Sequence, residues 1–130
     1  MTIFEEALKG NITKEMLHIA EIERVDIRKL MKKISKGEVV IMKRENFKPV
    51  GIGFPLRTKI NVNLGTSSSA INLSEEFEKV EIAQKYGADT LSDLSMGGDI
   101  DAIRKKILEI SRVPITTVPI YQASIEADSI

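Results

Sequence analysis

The chain contains no cysteine among its 130 residues. Its own side chains therefore cannot form disulfides, act as thiolate nucleophiles or ligate zinc or an iron–sulfur centre through sulfur. Histidine occurs once, as His18. A surface or capping role is expected for it rather than catalysis. Neither charge sign is in excess. Nineteen Lys and Arg face nineteen Asp and Glu, and that balance gives no field to draw nucleic acid or an anionic membrane surface. No apolar run approaches the ~20 residues that span a bilayer. Met1–Gly10 carries Glu5 and Glu6 where a signal peptide needs bases and an apolar core. A cytoplasmic location is the expectation.

What is present suits a folded α/β domain. Apolar residues make up 42% and charged residues 29%, an ordinary globular mix in a length that suggests one domain. Thr2-Ile-Phe-Glu5 is a capping box for a short helix ending at Gly10. Thr13 opens a second helix, with Leu17, Ala20 and Arg24 on one face and Met16 and Ile19 beside it. Asp26 caps a third, on which Ile27, Leu30, Met31 and Ile34 follow the i, i+3, i+4, i+7 stripe. The lysines on its other faces are read as solvated, because no aromatic residues interleave with them in the sequence. Val39–Met42 reads as a strand. Residues 43–58, rich in Arg, Asn, Lys, Pro and Gly, read as a linker. Gly51 and Gly53 lack the third glycine and following helix of a dinucleotide loop.

From Lys59 a β/α rhythm takes over. Lys59–Leu64 alternates as a strand with two faces. Gly65–Ser69 is a polar loop without the Gly-Lys-Ser/Thr of a Walker motif. Ser74 caps a helix turning Phe77, Val80, Ala83 and Tyr86 inward. Gly87 closes that helix with positive φ, Thr90–Leu94 forms a strand, and Gly97 and Gly98 turn the chain into a helix capped by Asp99. Ile100, Ile103, Ile107 and Ile110 form its inner stripe. Arg112-Val-Pro ends it, and Ile115–Val118 is the third strand. The expected division is an N-terminal helical segment with a short strand (1–42), the linker (43–58), a partial β/α region (59–123) and a tail (124–130).

Such folds carry their chemistry at strand ends. Asn63, Ser92 and Tyr121 recur every 29 residues, in or just past successive strands. One strand and its crossover take about 30 residues, so the three are candidates for one ligand-facing row. Their alternative role is to satisfy loop backbone groups. Asp89, Asp93, Asp99 and Asp101 could gather a hard divalent cation. Helix-start positions explain Asp99 and Asp101 without one, and no metal site is expected.

These residues also carry a resemblance. Lys59-Ile-Asn-Val-Asn-Leu-Gly-Thr-Ser67, Gly87-Ala-Asp-Thr-Leu-Ser-Asp-Leu-Ser95, Gly97-Gly-Asp-Ile-Asp101 and Val113-Pro-Ile-Thr-Thr-Val-Pro-Ile-Tyr-Gln-Ala123 resemble the phosphomethylpyrimidine synthase family of thiamine biosynthesis. Phe4-Glu-Glu-Ala-Leu-Lys-Gly-Asn-Ile-Thr13 and Pro49-Val-Gly-Ile-Gly53, followed by Leu56-Arg-Thr-Lys59, resemble its archaeal-type N-terminus. The resemblance implies a noncanonical radical S-adenosylmethionine enzyme that converts 5-aminoimidazole ribonucleotide into hydroxymethylpyrimidine phosphate. It implies a (β/α)8 barrel, a [4Fe–4S] cluster on a C-terminal cysteine motif, and a divalent metal held by two histidines. It also implies substrate contacts at Asn63 and Tyr121, and at Ser92, where the family has methionine. Leu94-Ser-Met-Gly-Gly98 replaces the family's Leu-Ser-Thr-Gly-Gly.

A full barrel takes ~250 residues, and the matched part amounts to the N-terminal region with about two and a half β/α units. The cluster cysteines and metal histidines are expected beyond Ile130, so the chain is expected to be inactive alone and to hold neither cofactor. Three readings stay open: a fragment that binds the ribonucleotide and depends on another chain, a noncatalytic structural or regulatory module, or part of a related hydroxybenzimidazole synthase. Open strand edges lead to the expectation of a homo-oligomer or a complementary chain.

Overall fold

The computed structural model describes residues 1–44 and 46–127. They fall into two compact units, divided between Lys59 and Ile60.

The first unit packs three helices with a two-stranded ribbon. Helix α1 (Ile3–Leu8) has the full capping box, in which Thr2 Oγ1 accepts from the Glu5 N–H and Glu5 accepts from the Thr2 N–H. Helix α2 (Lys14–Glu23) is capped by Thr13, and α3 (Ile27–Ser35) by Asp26. Strands β1 (Val40–Met42) and β2 (Val50–Ile52) pair antiparallel, with Ile41 opposite Gly51. Residues 43–58, expected as a linker, therefore contain a strand. Ala7, Met16, Ile19, Leu30, Ile34 and Val39 form the core. The inner face of α2 is thus Met16 and Ile19, both fully buried, whereas Leu17 is 54% exposed. Ala20 of the expected face does pack against this core, but the centre of the face lies one position back, about 100° around the helix.

Glu23, at the end of α2, binds the segment after β2. Its carboxylate accepts from the Arg57 N–H at 2.9 Å and lies 2.8 Å from Lys59 Nζ. Burial pushes this carboxyl upward, but the Lys59 and Arg57 hydrogen bonds and charges outweigh it and leave it below the ordinary value of 4.5. A carboxyl depressed in the folded state stabilises it above the ordinary value, and that stabilisation is lost as pH falls through the folded value. Glu23→Gln should lower the unfolding free energy of this unit by about 1–3 kcal/mol at pH 7. The deficit should shrink below pH 4.5, as read by urea titrations at both pH values with the Ile19 methyl as probe. A deficit equal at both pH values would contradict an ionic role for Glu23.

The second unit alternates strand and helix. Its elements are β3 (Asn61–Leu64), α4 (Leu73–Lys85), β4 (Thr90–Asp93), α5 (Ile100–Ile110), β5 (Ile115–Thr117) and α6 (Pro119–Glu126). The strands form one parallel sheet in the order β3-β4-β5. Leu64, Val80, Ala83, Ala88, Leu91, Ile103 and Ile107 make its core, joined by Val62, Phe77, Ile110, Val113 and Ile115. Asp99 caps α5 as expected, and Gly87 has φ +89°.

Three local expectations change. Helix α4 is capped by Asn72, whose side chain accepts from the Glu75 N–H, and Ser74 is the second residue of the helix. Both residues can cap, and the side chain placed three residues before a free amide is the one that does. Tyr86, expected inward, is 77% exposed because the helix ends at Lys85 and the chain turns there. Of the expected tail, 124–126 belongs to α6, and 128–130 lies outside the described residues.

Candidate functional site

The register places Asn61 beside Thr90, Asn63 beside Ser92, and Ser92 beside Thr116. Because strand side chains alternate, one face of the sheet carries Val62, Leu64, Leu91, Asp93 and Ile115. The other carries Asn61, Asn63, Thr90, Ser92 and Thr116. Parallel strands are usually apolar on both faces because helices cover both. Here the second face is polar, with Asn61, Asn63 and Thr116 exposed.

Its side chains bond to one another. Asn61 Oδ1 accepts from Thr90 Oγ1 at 2.9 Å and from Ser92 Oγ at 3.1 Å. Asn61 Nδ2 donates to Asn63 Oδ1 at 2.9 Å. The Ser92 and Thr116 hydroxyls lie 2.7 Å apart, and Thr116 Oγ1 also reaches the Leu91 carbonyl at 3.3 Å. The orientation of the Asn61 amide has a physical reason. Thr90 is 5% exposed, and its hydroxyl donates to Asn61 Oδ1. Turning that amide over would remove the acceptor and leave a buried O–H unsatisfied, at a cost of about 1–3 kcal/mol.

Asn63 and Ser92 are thus direct neighbours. Tyr121 is not in their row. The strand partner of Ser92 is Thr116, 24 residues on, whereas Tyr121 is the third residue of α6 and is 39% exposed. The 29-residue period holds from β3 to β4 and fails from β4 to β5, where the crossover is shorter. Sequence reasoning missed Asn61 and Thr116, although period-2 alternation from Asn63 and within Ile115-Thr-Thr117 carried the signal.

At the strand exits the chain forms a tight lattice. The Leu94 N–H donates to the Leu64 carbonyl at 2.8 Å, and the Met96 N–H to the Thr66 carbonyl at 2.8 Å. Thr66 Oγ1 donates to the Gly97 carbonyl at 2.6 Å, and the Thr66 N–H to Ser95 Oγ at 3.3 Å. Glu76 accepts from the Gly65 N–H at 2.7 Å and lies 2.6 Å from Lys79, whose ammonium that hydrogen bond holds above the usual lysine range.

Asp93, at the end of β4, is 2% exposed and points to the helix side. Its Oδ1 accepts from the Ser95 hydroxyl at 2.6 Å and the Ser95 N–H at 3.0 Å. Its Oδ2 makes no hydrogen bond and lies 3.6 Å from Arg104 Nε. Arg104 in turn donates to Gln122 Oε1 at 2.7 Å, which ties α5 to α6. The four candidate acids do not converge. Asp89 accepts from the Ile60 N–H, Asp99 caps α5 and Asp101 accepts from Gln122. Among the described residues no three metal-ligating side chains come together.

In the first unit, His18 lines a cavity of about 510 Å³ with Lys14, Glu15, Lys43, Asn46, Phe47 and Pro49. Its Nε2 is buried without a hydrogen-bond partner. Glu15 is drawn below the usual carboxylate range by its hydrogen bond from Lys43.

Close backbone approach sets the lattice. A Cβ on Gly65, whose φ is +134°, would fall 2.5 Å from the Ser95 nitrogen. One on Gly87 would meet nothing within 4 Å. Gly65→Ala should therefore destabilise the second unit by about 3 kcal/mol or more. Gly87→Ala should cost only the left-handed backbone penalty of about 1–2 kcal/mol. Equal losses in thermal unfolding would contradict the crowding at Gly65.

Residues 2–129 match the model of the radical SAM ThiC family. The chain is 51% identical over 129 residues to the phosphomethylpyrimidine synthase of Pyrococcus furiosus, covering 97% of this chain and 30% of that protein. It is 51% identical over 124 residues to that of Methanocaldococcus jannaschii, covering 94% and 29%. With that of Sulfolobus acidocaldarius it shares 50% over 130 residues, covering 98% and 30%. The chain spans about 30% of the length of these curated relatives.

Proposed function

The chain belongs to the radical SAM ThiC family, and from that premise we propose that it forms one wall of the family's ribonucleotide site. The observation that carries this reading is the pairing of Asn63 with Ser92 on the open polar face of a parallel sheet. The three strands are read as the first part of a (β/α)8 barrel, in which this face would line the interior. Asn63 is the main contact to 5-aminoimidazole ribonucleotide. Ser92, with its hydroxyl between Asn61 and Thr116, forms the floor beside it, and Tyr121 reaches the ligand from α6 rather than from the strand row.

The residues of this chain do not fit the family's cofactors. There is no cysteine to hold an iron–sulfur cluster, and the acids nearest the strand ends are engaged by backbone amides, Ser95 and Gln122. Reductive cleavage of S-adenosylmethionine, and with it the lyase reaction, is assigned to residues outside these 130. A homo-oligomer or a complementary chain is proposed to cover the outer edges of β3 and β5, which pair with no further strand among the described residues.

A noncatalytic module is the second reading. It draws on the Ser92 hydroxyl, which the sheet's own network already engages.

NMR titration with 5-aminoimidazole ribonucleotide distinguishes the two. The binding reading predicts saturable shifts at Asn63, Ser92 and Tyr121. No shift at millimolar ligand would remove it and leave the module.

A further inference from the structure

We propose that Asn61 is a positioning residue, which turns the amide of Asn63 so that its NH2 group faces the open side of the sheet. The site is thereby committed to a ligand atom that accepts a hydrogen bond. For its ligand this inference rests on the ribonucleotide reading above.

Thr90 is buried, and its hydroxyl donates to Asn61 Oδ1. Ser92 donates to the same oxygen. Two donors on one oxygen fix which end of the Asn61 amide is which. Its Nδ2 then points along the strand to Asn63 and donates to Asn63 Oδ1. That bond occupies the Asn63 oxygen within the sheet and leaves both Nδ2 protons of Asn63 for the exposed side. Orientation passes from a buried hydroxyl through one exposed amide to the next. Asn63 therefore presents donors, and a ligand that offers only donors would meet no acceptor there.

Asn61→Asp tests this directly. The new carboxylate would still accept from Thr90 and Ser92, but it would bring an oxygen against Asn63 Oδ1. Asn63 should then reverse, donate Nδ2 to the carboxylate and turn its oxygen outward. In the unliganded chain, one Asn63 side-chain amide proton should exchange with water about fivefold more slowly than in the parent, the effect of one hydrogen bond. Unchanged exchange would overturn the proposal.

If that variant fails to fold, Asn61→Ala serves. The Asn63 side-chain order parameter from ¹⁵N relaxation should fall, and an unchanged value would overturn the proposal. In the titration with 5-aminoimidazole ribonucleotide, Asn61→Asp should bind at least about tenfold more weakly, as expected when a donor facing a ligand acceptor becomes an acceptor. Equal affinity for parent and variant would also overturn it. The exchange measurement needs no ligand. A parent chain that shows no shifts therefore sinks the ribonucleotide site, while the exchange result still decides what Asn61 does to Asn63.

Discussion

Strands β3 and β4 do not part where their ladder ends. Past Leu64 and Asp93 the two chains continue side by side, joined by the bonds from Leu94 to Leu64 and from Met96 to Thr66. Gly65 brings its backbone against Leu94 and Ser95, where no Cβ would fit. This close pairing fixes the relative register of the two strands, and register in turn decides which side chains share a face. A slip of one residue in β4 would bury Ser92 under the helices and expose Leu91, and one in β3 would do the same to Asn63 and Leu64. Full burial of a side chain like Leu91 is worth about 2 kcal/mol, so the apolar face alone opposes the slip.

The same constraint explains a strongly polar group on the helix side of the sheet. Asp93 must lie there by alternation, and it is 2% exposed. Two bonds from Ser95 satisfy Oδ1, and Arg104 stands 3.6 Å from Oδ2. Buried charge persists only with such partners. Arg104 passes the connection to Gln122, so α6 is tied to the end of β4 through side chains. The acids that invite a metal reading are thus part of the scaffold, and the polar chemistry open to a ligand lies on the opposite face.

Much of this was legible in the sequence. The caps at Thr2, Thr13, Asp26 and Asp99 were readable because capping is local and needs only a side chain three residues from a free amide. The isoleucine stripe of α5 and the parallel α/β class followed from periodicity. What failed depended on neighbours distant in sequence. Met16 and Ile19 rather than Leu17 face inward because α1 and α3 lie on that side. Asn72 and Ser74 are both competent caps, and only the backbone path chooses between them. The even spacing of Asn63, Ser92 and Tyr121 misled because the two crossovers differ in length, so Thr116 takes the place expected of Tyr121. The amide chain from Thr90 to Asn63 joins two strands and has no signature in either segment alone.

The paired strand exits hold the second unit in register. Amide hydrogen exchange tests it most directly, since protection reports the free energy of local opening. The Leu94 and Met96 amides should exchange as slowly as Leu91 in mid-strand, only through global unfolding of this unit. Exchange of Leu94 and Met96 at the rate of exposed loop amides, with Leu91 still protected, would contradict it.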